Sequence, residues 1–241
     1  MSCVSCSTIG YLVETFPQPA HSPVIQEILE LEQQGLSLHI FSLRLPHQRD
    51  QLSIALQVKS PVTYIPSMLP NHIQEDEDAL IGAHIDLLRD NASGHYAALD
   101  FYLGRPEGKE LNELLQAGYV TLQLQQWGIS HIHIPCENVT TATAELIHRI
   151  SGISYSVTAD GDDLRLIDTQ VLARRLASAQ FVFTSSYNHR SYLREISMDL
   201  PPIHVLPQEK AIASTGLDSA SAKATTLYQY APKGMLEKRG R

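Results

Sequence analysis

Two histidines spaced two apart in an apolar run, His131-Ile132-His133-Ile134, are the first residues of this chain that could do chemistry. In a strand, alternation puts both imidazoles on one face and both isoleucines on the other. Such a pair could carry protons near neutral pH, with one histidine facing a cleft, or it could sit in the core hydrogen-bonded to neighbouring backbone. A second grouping, Asp160-Gly161-Asp162-Asp163, offers carboxylates to a hard cation or to sugar hydroxyls, or caps the helix that follows. Glu14, Thr15 and His21 come after the apolar run 9–13, and Ser185, Ser186 and Asn188 come after the run 181–184. Ligands of open α/β sheets bind outside the carboxyl ends of the strands, so these residues read as lining for a substrate site. The plainer reading is a solvated loop for the first set and helix capping for Asn188.

Other chemistries find little support. Cys3 and Cys6 form a C-x-x-C in a polar leader and Cys136 stands alone, whereas a zinc site needs about two further ligands. No G-x-S-x-G elbow, G-x-x-x-x-G-K-[ST] or G-x-G-x-x-G occurs, which disfavours a serine hydrolase and independent nucleotide or dinucleotide binding. No metal and no cofactor are therefore expected. The net charge is −8, and apart from Lys238-Arg239-Gly240-Arg241 the basic residues are scattered. That is the wrong field for a phosphate backbone, so nucleic acid is not an expected partner. No run approaches the roughly 20 apolar residues of a membrane span, and the expectation is a cytoplasmic protein without a transmembrane segment.

The elements that must position these residues alternate regularly. Apolar, β-favouring runs predict strands at 9–13, 36–43, 62–65, 131–134, 153–157, 181–184 and 203–206. Helical spacing, Pro23 in a first turn and Gly35 at a C-cap predict a helix at 23–34, with its glutamates and glutamines facing away from Val24, Ile25, Ile28 and Leu31. Further helices are predicted at 77–89, 95–103, 107–126, 138–150, 168–178 and 187–196. This alternation predicts one Rossmann-like α/β domain with a mostly parallel sheet covered by helices on both faces. It spans 8–206, after a flexible leader at 1–7. Residues 207–241, rich in Ala, Ser, Thr and Lys, are expected to be an extended or disordered tail.

Three stretches carry a resemblance. The first is Ile9-Gly10-Tyr11-Leu12-Val13-Glu14-Thr15-Phe16-Pro17 with Glu27-Ile28-Leu29-Glu30-Leu31-Glu32, Gly35 and Ile40-Phe41-Ser42-Leu43-Arg44. The second is His131-Ile132-His133. The third runs from Gly152-Ile153 through Ser156-Val157-Thr158-Ala159 and Asp162-Asp163-Leu164 to Ala179–Ser185, Tyr187-Asn188 and Tyr192-Leu193-Arg194-Glu195-Ile196. In this order and spacing they resemble the N-terminal domain of bacterial family 4 glycosyltransferases of the GT-B fold, of the exopolysaccharide and colanic-acid type. The resemblance covers roughly residues 8 to 206.

It implies half of a GT-B fold, the acceptor side of a retaining, nucleotide-sugar-dependent hexosyltransferase. His133, Thr158, Ser185, Asn188, Glu14, Thr15 and His21 would lie toward the substrate. Two departures stand out. Where the family has a Ser-Glu-Thr-Phe-like turn this chain has Ala20-His21-Ser22-Pro23, and the family's Thr-Ala-His, whose histidine contacts the reacting sugar, is Thr158-Ala159-Asp160. Asp160 thus stands at a catalytic position with an anion for an imidazole. About 35 residues follow Leu206, too few for the donor-binding half. The expected partners are a separate donor-binding chain and a sugar or glycolipid acceptor. The alternative is a pseudoenzyme, a non-catalytic binding or scaffold protein derived from such a domain.

Overall fold

A computed structural model of the chain describes residues 8–18, 22–46, 57–68, 74–107, 110–160, 162–206 and 219–230. The leader with Cys3 and Cys6, the candidate His21, and the remainder of 207–241 lie outside the described residues. Seven strands form one sheet: β1 (Ile9–Thr15), β2 (Leu38–Arg44), β3 (Val62–Tyr64), β4 (His131–Pro135), β5 (Ser154–Thr158), β6 (Val182–Thr184) and β7 (Ile203–Val205). Their order is β3-β2-β1-β4-β5-β6-β7, and every pairing is parallel. Parallel strands are buried on both faces, which is why β1 and β2 read as nearly unbroken apolar runs.

The chain runs outward from β1 through α1 (Pro23–Gln33) to β2 and β3. It then crosses back through α2 (Gln74–Asp90), α3 (Ala92–Gly104) and α4 (Leu111–Gln126) to β4, and continues outward through α5 (Asn138–Ser151), α6 (Thr169–Ala177) and α7 (Tyr187–Ile196). Because the order reverses between β1 and β4, right-handed crossovers place α1 on one face and α5 on the other. Two cores result. Tyr11, Val13, Ile40, Phe181 and Phe183 pack under α1, whereas Leu12, Phe41, Ile132, Tyr155 and Val157 pack under the helices of the opposite face.

Local signals account for the helix ends. The Ser22 hydroxyl accepts from Val24 N at 3.2 Å and Pro23 opens α1, while Gly152 closes α5 with φ +74°. α3 begins three residues before its predicted start because Asn91 caps it, taking Gly94 N at 3.1 Å and donating to Ile150 O at 2.9 Å. One glycine is a contact rather than a turn. A Cβ on Gly118 of α4 would stand 2.2 Å from the His84 ring nitrogen of α2.

The expectation of an extended or disordered tail fails over part of its length. Residues Ser219–Tyr230 form a helix, α8, with Ala224 and Leu227 buried against α1. With Leu227 its principal aliphatic anchor, α8 has no apolar stripe to announce it. It docks through Ala224 and Leu227 and through Lys223, whose ammonium pairs with Glu27. No helix among the described residues is long and apolar enough to cross a membrane.

Candidate functional site

The histidines of β4 and the hydroxyls of β5 form a continuous buried chain on the α1 face. Register pairs His131 with Ser154 and His133 with Ser156, so imidazole and hydroxyl alternate. His131 Nδ1 lies 2.8 Å from Ser154 Oγ and its Nε2 2.9 Å from Ser156 Oγ. His133 Nδ1 lies 2.7 Å from that same Ser156 Oγ, and its Nε2 2.8 Å from Glu27 Oε1 and 2.9 Å from Thr158 Oγ1. A carboxylate can only accept, which sets the direction. His133 Nε2–H donates to Glu27, the Ser156 hydroxyl donates to His133 Nδ1, and His131 Nε2–H donates to Ser156. The histidines are core residues, yet side chains rather than backbone satisfy them.

Both imidazoles are fully buried. Burial pushes His131 down to about 3, with His133 adding to the effect. Burial also lowers His133, although Glu27 pulls the other way. Both rings are therefore neutral at pH 7, and they serve as donors and acceptors, not as charges.

The charge belongs to Glu27, which the sequence reading placed on the outer face of α1. It lies instead on the buried stripe, three residues from Val24 and four from Leu31, with a relative exposure of 8%. Glu27 Oε1 receives the Thr158 hydroxyl at 2.9 Å and the Lys223 ammonium at 3.0 Å. Burial raises its carboxyl, but Lys223 and His133 more than offset this and hold it well below the usual carboxylate range. Lys223 also reaches Thr158 Oγ1 at 3.2 Å and stands 5.2 Å from the centre of the Phe183 ring. Tyr11 packs edge-on against His133, and burial together with the Glu27 charge drives its phenol upward.

Asp160 begins a second cluster, between β5 and α7. Its Oδ1 accepts from Ser185 N at 2.7 Å, Thr184 Oγ1 at 2.8 Å, Ser185 Oγ at 3.0 Å and His189 Nδ1 at 3.4 Å. Asp160 therefore ties β5 to the turn after β6 and does not cap the next helix. Asp168 caps α6, taking Gln170 N at 2.9 Å and Val171 N at 3.1 Å. Likewise Ser186, not Asn188, caps α7, and the exposed Asn188 supplies the donating N–H at 3.1 Å. The side chains of Asp162 and Asp163 lie outside what is described. Glu14, at the end of β1, is paired with Arg44 of β2 at 2.7 Å, beside the partly exposed Thr15. Among the described residues no group of three or more His, Cys, Asp or Glu is arranged to hold a metal ion.

The carboxyl edge also carries a cavity of about 500 Å³ on the α4–α6 side, lined by Arg44, Asn112, Gln116, Asn138, Ile167 and Arg175 among others. Its polar walls are held from behind. Gln116 Nε2 donates to Leu43 O at 2.7 Å and Pro66 O at 2.9 Å, Asn112 donates to Gln116 Oε1 at 3.1 Å, and Arg175 Nη1 grips Asn138 Oδ1 at 2.9 Å. Val139, Ile167 and Val171 add apolar surface. None of the candidates named from the sequence lines this cavity, and Glu14 reaches it only through Arg44. The polar starts of the helices at 111 and 138 were a usable signal, since each follows a strand or crossover arriving at the ligand-binding edge.

No protein-family model and no curated protein matches the chain. Among solved structures, Phytolacca americana UGT2 complexed with UDP-2fluoro-glucose and pterostilbene is similar at 11% identity and a TM-score of 0.43. The alignment covers 86% of this chain and 55% of that one, so the chain spans little more than half of that protein's length. A likeness this loose transfers no property to the chain.

Proposed function

We propose that this chain is a glycosyltransferase-like acceptor-side domain of the family 4, exopolysaccharide or colanic-acid type. In this reading it works with a separate donor-binding chain to move a hexose from a nucleotide sugar onto a sugar or glycolipid acceptor. The observation that supports it is the cavity of about 500 Å³ at the carboxyl edge of the sheet. Fixed amides, guanidinium groups and carboxylates beside a small apolar wall suit a hydroxyl-bearing ring with an apolar C–H face, and the volume lies in the usual range for small ligands. This chain would orient the acceptor hydroxyl, and the partner's basic residues would stabilise the departing nucleotide diphosphate. The test is a pull-down from the native cell followed by transfer assays with the captured partner. Capture of a donor-type Rossmann chain and hexose transfer by the pair is the expected result, and a captured pair that hydrolyses or transfers no nucleotide sugar counts against it.

A second reading, a non-catalytic scaffold, is favoured by a specific observation. Asp160 is committed to the turn after β6, and His133 and Thr158 lie beneath α8. Tight binding of UDP-, GDP- or TDP-sugars by the lone chain is incompatible with a scaffold, and capture of a donor-type Rossmann chain that transfers hexose favours the first reading over it.

A further inference from the structure

A buried carboxylate normally costs more to desolvate than its ion pair returns, and a core of this kind has no need of one. Yet Glu27 sits on the apolar stripe of α1, oriented by the His133 imidazole at 2.8 Å and the Thr158 hydroxyl at 2.9 Å, with its cation brought from a distant helix. Around that cation stand a carboxylate oxygen at 3.0 Å, a hydroxyl oxygen at 3.2 Å and an aromatic ring centred 5.2 Å away. Acceptors on one side and a π-face on another form the recognition geometry of an ammonium group. The carboxylate and hydroxyl would keep these positions without α8, since His133, Ser156 and the β4–β5 register hold them from within the sheet.

We propose that Glu27, Thr158 and the ring of Phe183, oriented by His133, form a binding site for a primary ammonium group, that Lys223 is its tethered occupant, and that α8 is a cap which an ammonium-bearing ligand displaces. The proposal stands whether or not the domain transfers sugar. α8 is suited to leaving, because an isolated helix of 12 residues is marginal in water and, among its described side chains, those buried are Ala224 and Leu227. An incoming primary ammonium would replace the departing one charge for charge, so the carboxylate is never left buried and unpaired.

The test uses the full chain and hydrogen exchange across 219–230. Ethylammonium is the probe, with tetramethylammonium, which has no N–H to donate, as the control at equal ionic strength. Competition for one site multiplies the open population by one plus the ligand concentration over its dissociation constant, so exchange in α8 is expected to rise about tenfold when ethylammonium reaches ten times that constant. Tetramethylammonium should leave it unchanged. Glucosamine and lysine amide, each compared with the same control, distinguish an ammonium on a sugar ring from one on a side chain. In Lys223→Ala the vacated site should take ethylammonium directly and melt at a higher temperature in its presence, and adding Glu27→Gln should abolish the gain. If none of the three amines opens α8 beyond the control, the cap is a permanent strut and the proposal fails, however Lys223→Ala behaves.

Discussion

Ser154, Ser156 and Thr158 give two imidazoles enclosed in a core a partner on each ring nitrogen, and Glu27 gives the chain of donors its end. The consequence for pH follows from His131. An exposed imidazole titrates near 6.5, whereas burial brings this one down to about 3. Between those values the unfolded chain holds a proton that the folded chain does not. The neutral ring's contribution is thus complete above about pH 6.5 and is lost as pH falls toward 3, at about 1.4 kcal/mol per pH unit. Urea unfolding at pH 7, 6 and 5 should show this slope, with His133 adding to it in the same direction. In His131→Phe one histidine's share should disappear, because Ser156 keeps His133 as its partner and Phe181 stacks on the new ring as it does on the old. Glu27→Ala leaves the Lys223 ammonium without its counter-charge, and leaves His133 Nε2 and Lys223 to share Thr158 Oγ1 as acceptor. A loss of about 3–5 kcal/mol is expected, as for one member of a buried pair, read from the same urea curves.

Elements meet here through small, specific contacts that set the cost of substitution. α2 and α4 touch where His84 lies on Gly118. Alanine would gain about 1 kcal/mol of helix propensity, but the overlap with the ring should make Gly118→Ala destabilising by about 1–3 kcal/mol, measured as a lowered urea midpoint. Asp160→Ala should unfasten the turn between β6 and α7 at about 1–3 kcal/mol. Asp160→Asn, which keeps an acceptor for Ser185 N, should lose less in the same urea curves. Most of this level was legible in the sequence. The seven strands and the helices from α1 to α7 follow from apolar periodicity, Pro23, Gly35 and Gly152, all of which act within a few residues. α8 was not legible, because an alanine, a leucine and one lysine meeting a glutamate from the far end of the domain anchor it, and none of these makes a local apolar period. For the same reason Glu27 read as solvated, since an α-helical pattern marks a face and says nothing of what cation awaits it.

At the scale of the whole molecule, reversal of strand order between β1 and β4 opens the carboxyl edge to a ligand. The candidate residues and the cavity occupy different parts of that edge. The loops after β5 and β6 were legible as a cluster, and Asp160 does meet Ser185 there. The cavity was not, because Arg44, Gln116 and Arg175 come from three elements that converge only after the sheet is built. If the cavity holds the acceptor, Val139→Phe, which fills it from the first turn of α5, should lower hexose transfer by the assembled pair at least about tenfold with little change in melting temperature. Unchanged transfer would move the acceptor elsewhere on the edge. The pairing of α8 with Glu27 also has a meaning in the order of synthesis. A ribosome makes Glu27 first, its histidine 106 positions later, and the lysine that neutralises it later still. A nascent chain therefore carries an uncompensated acid on its first helix through most of translation, and that face of the sheet closes only after residues 219–230 have emerged.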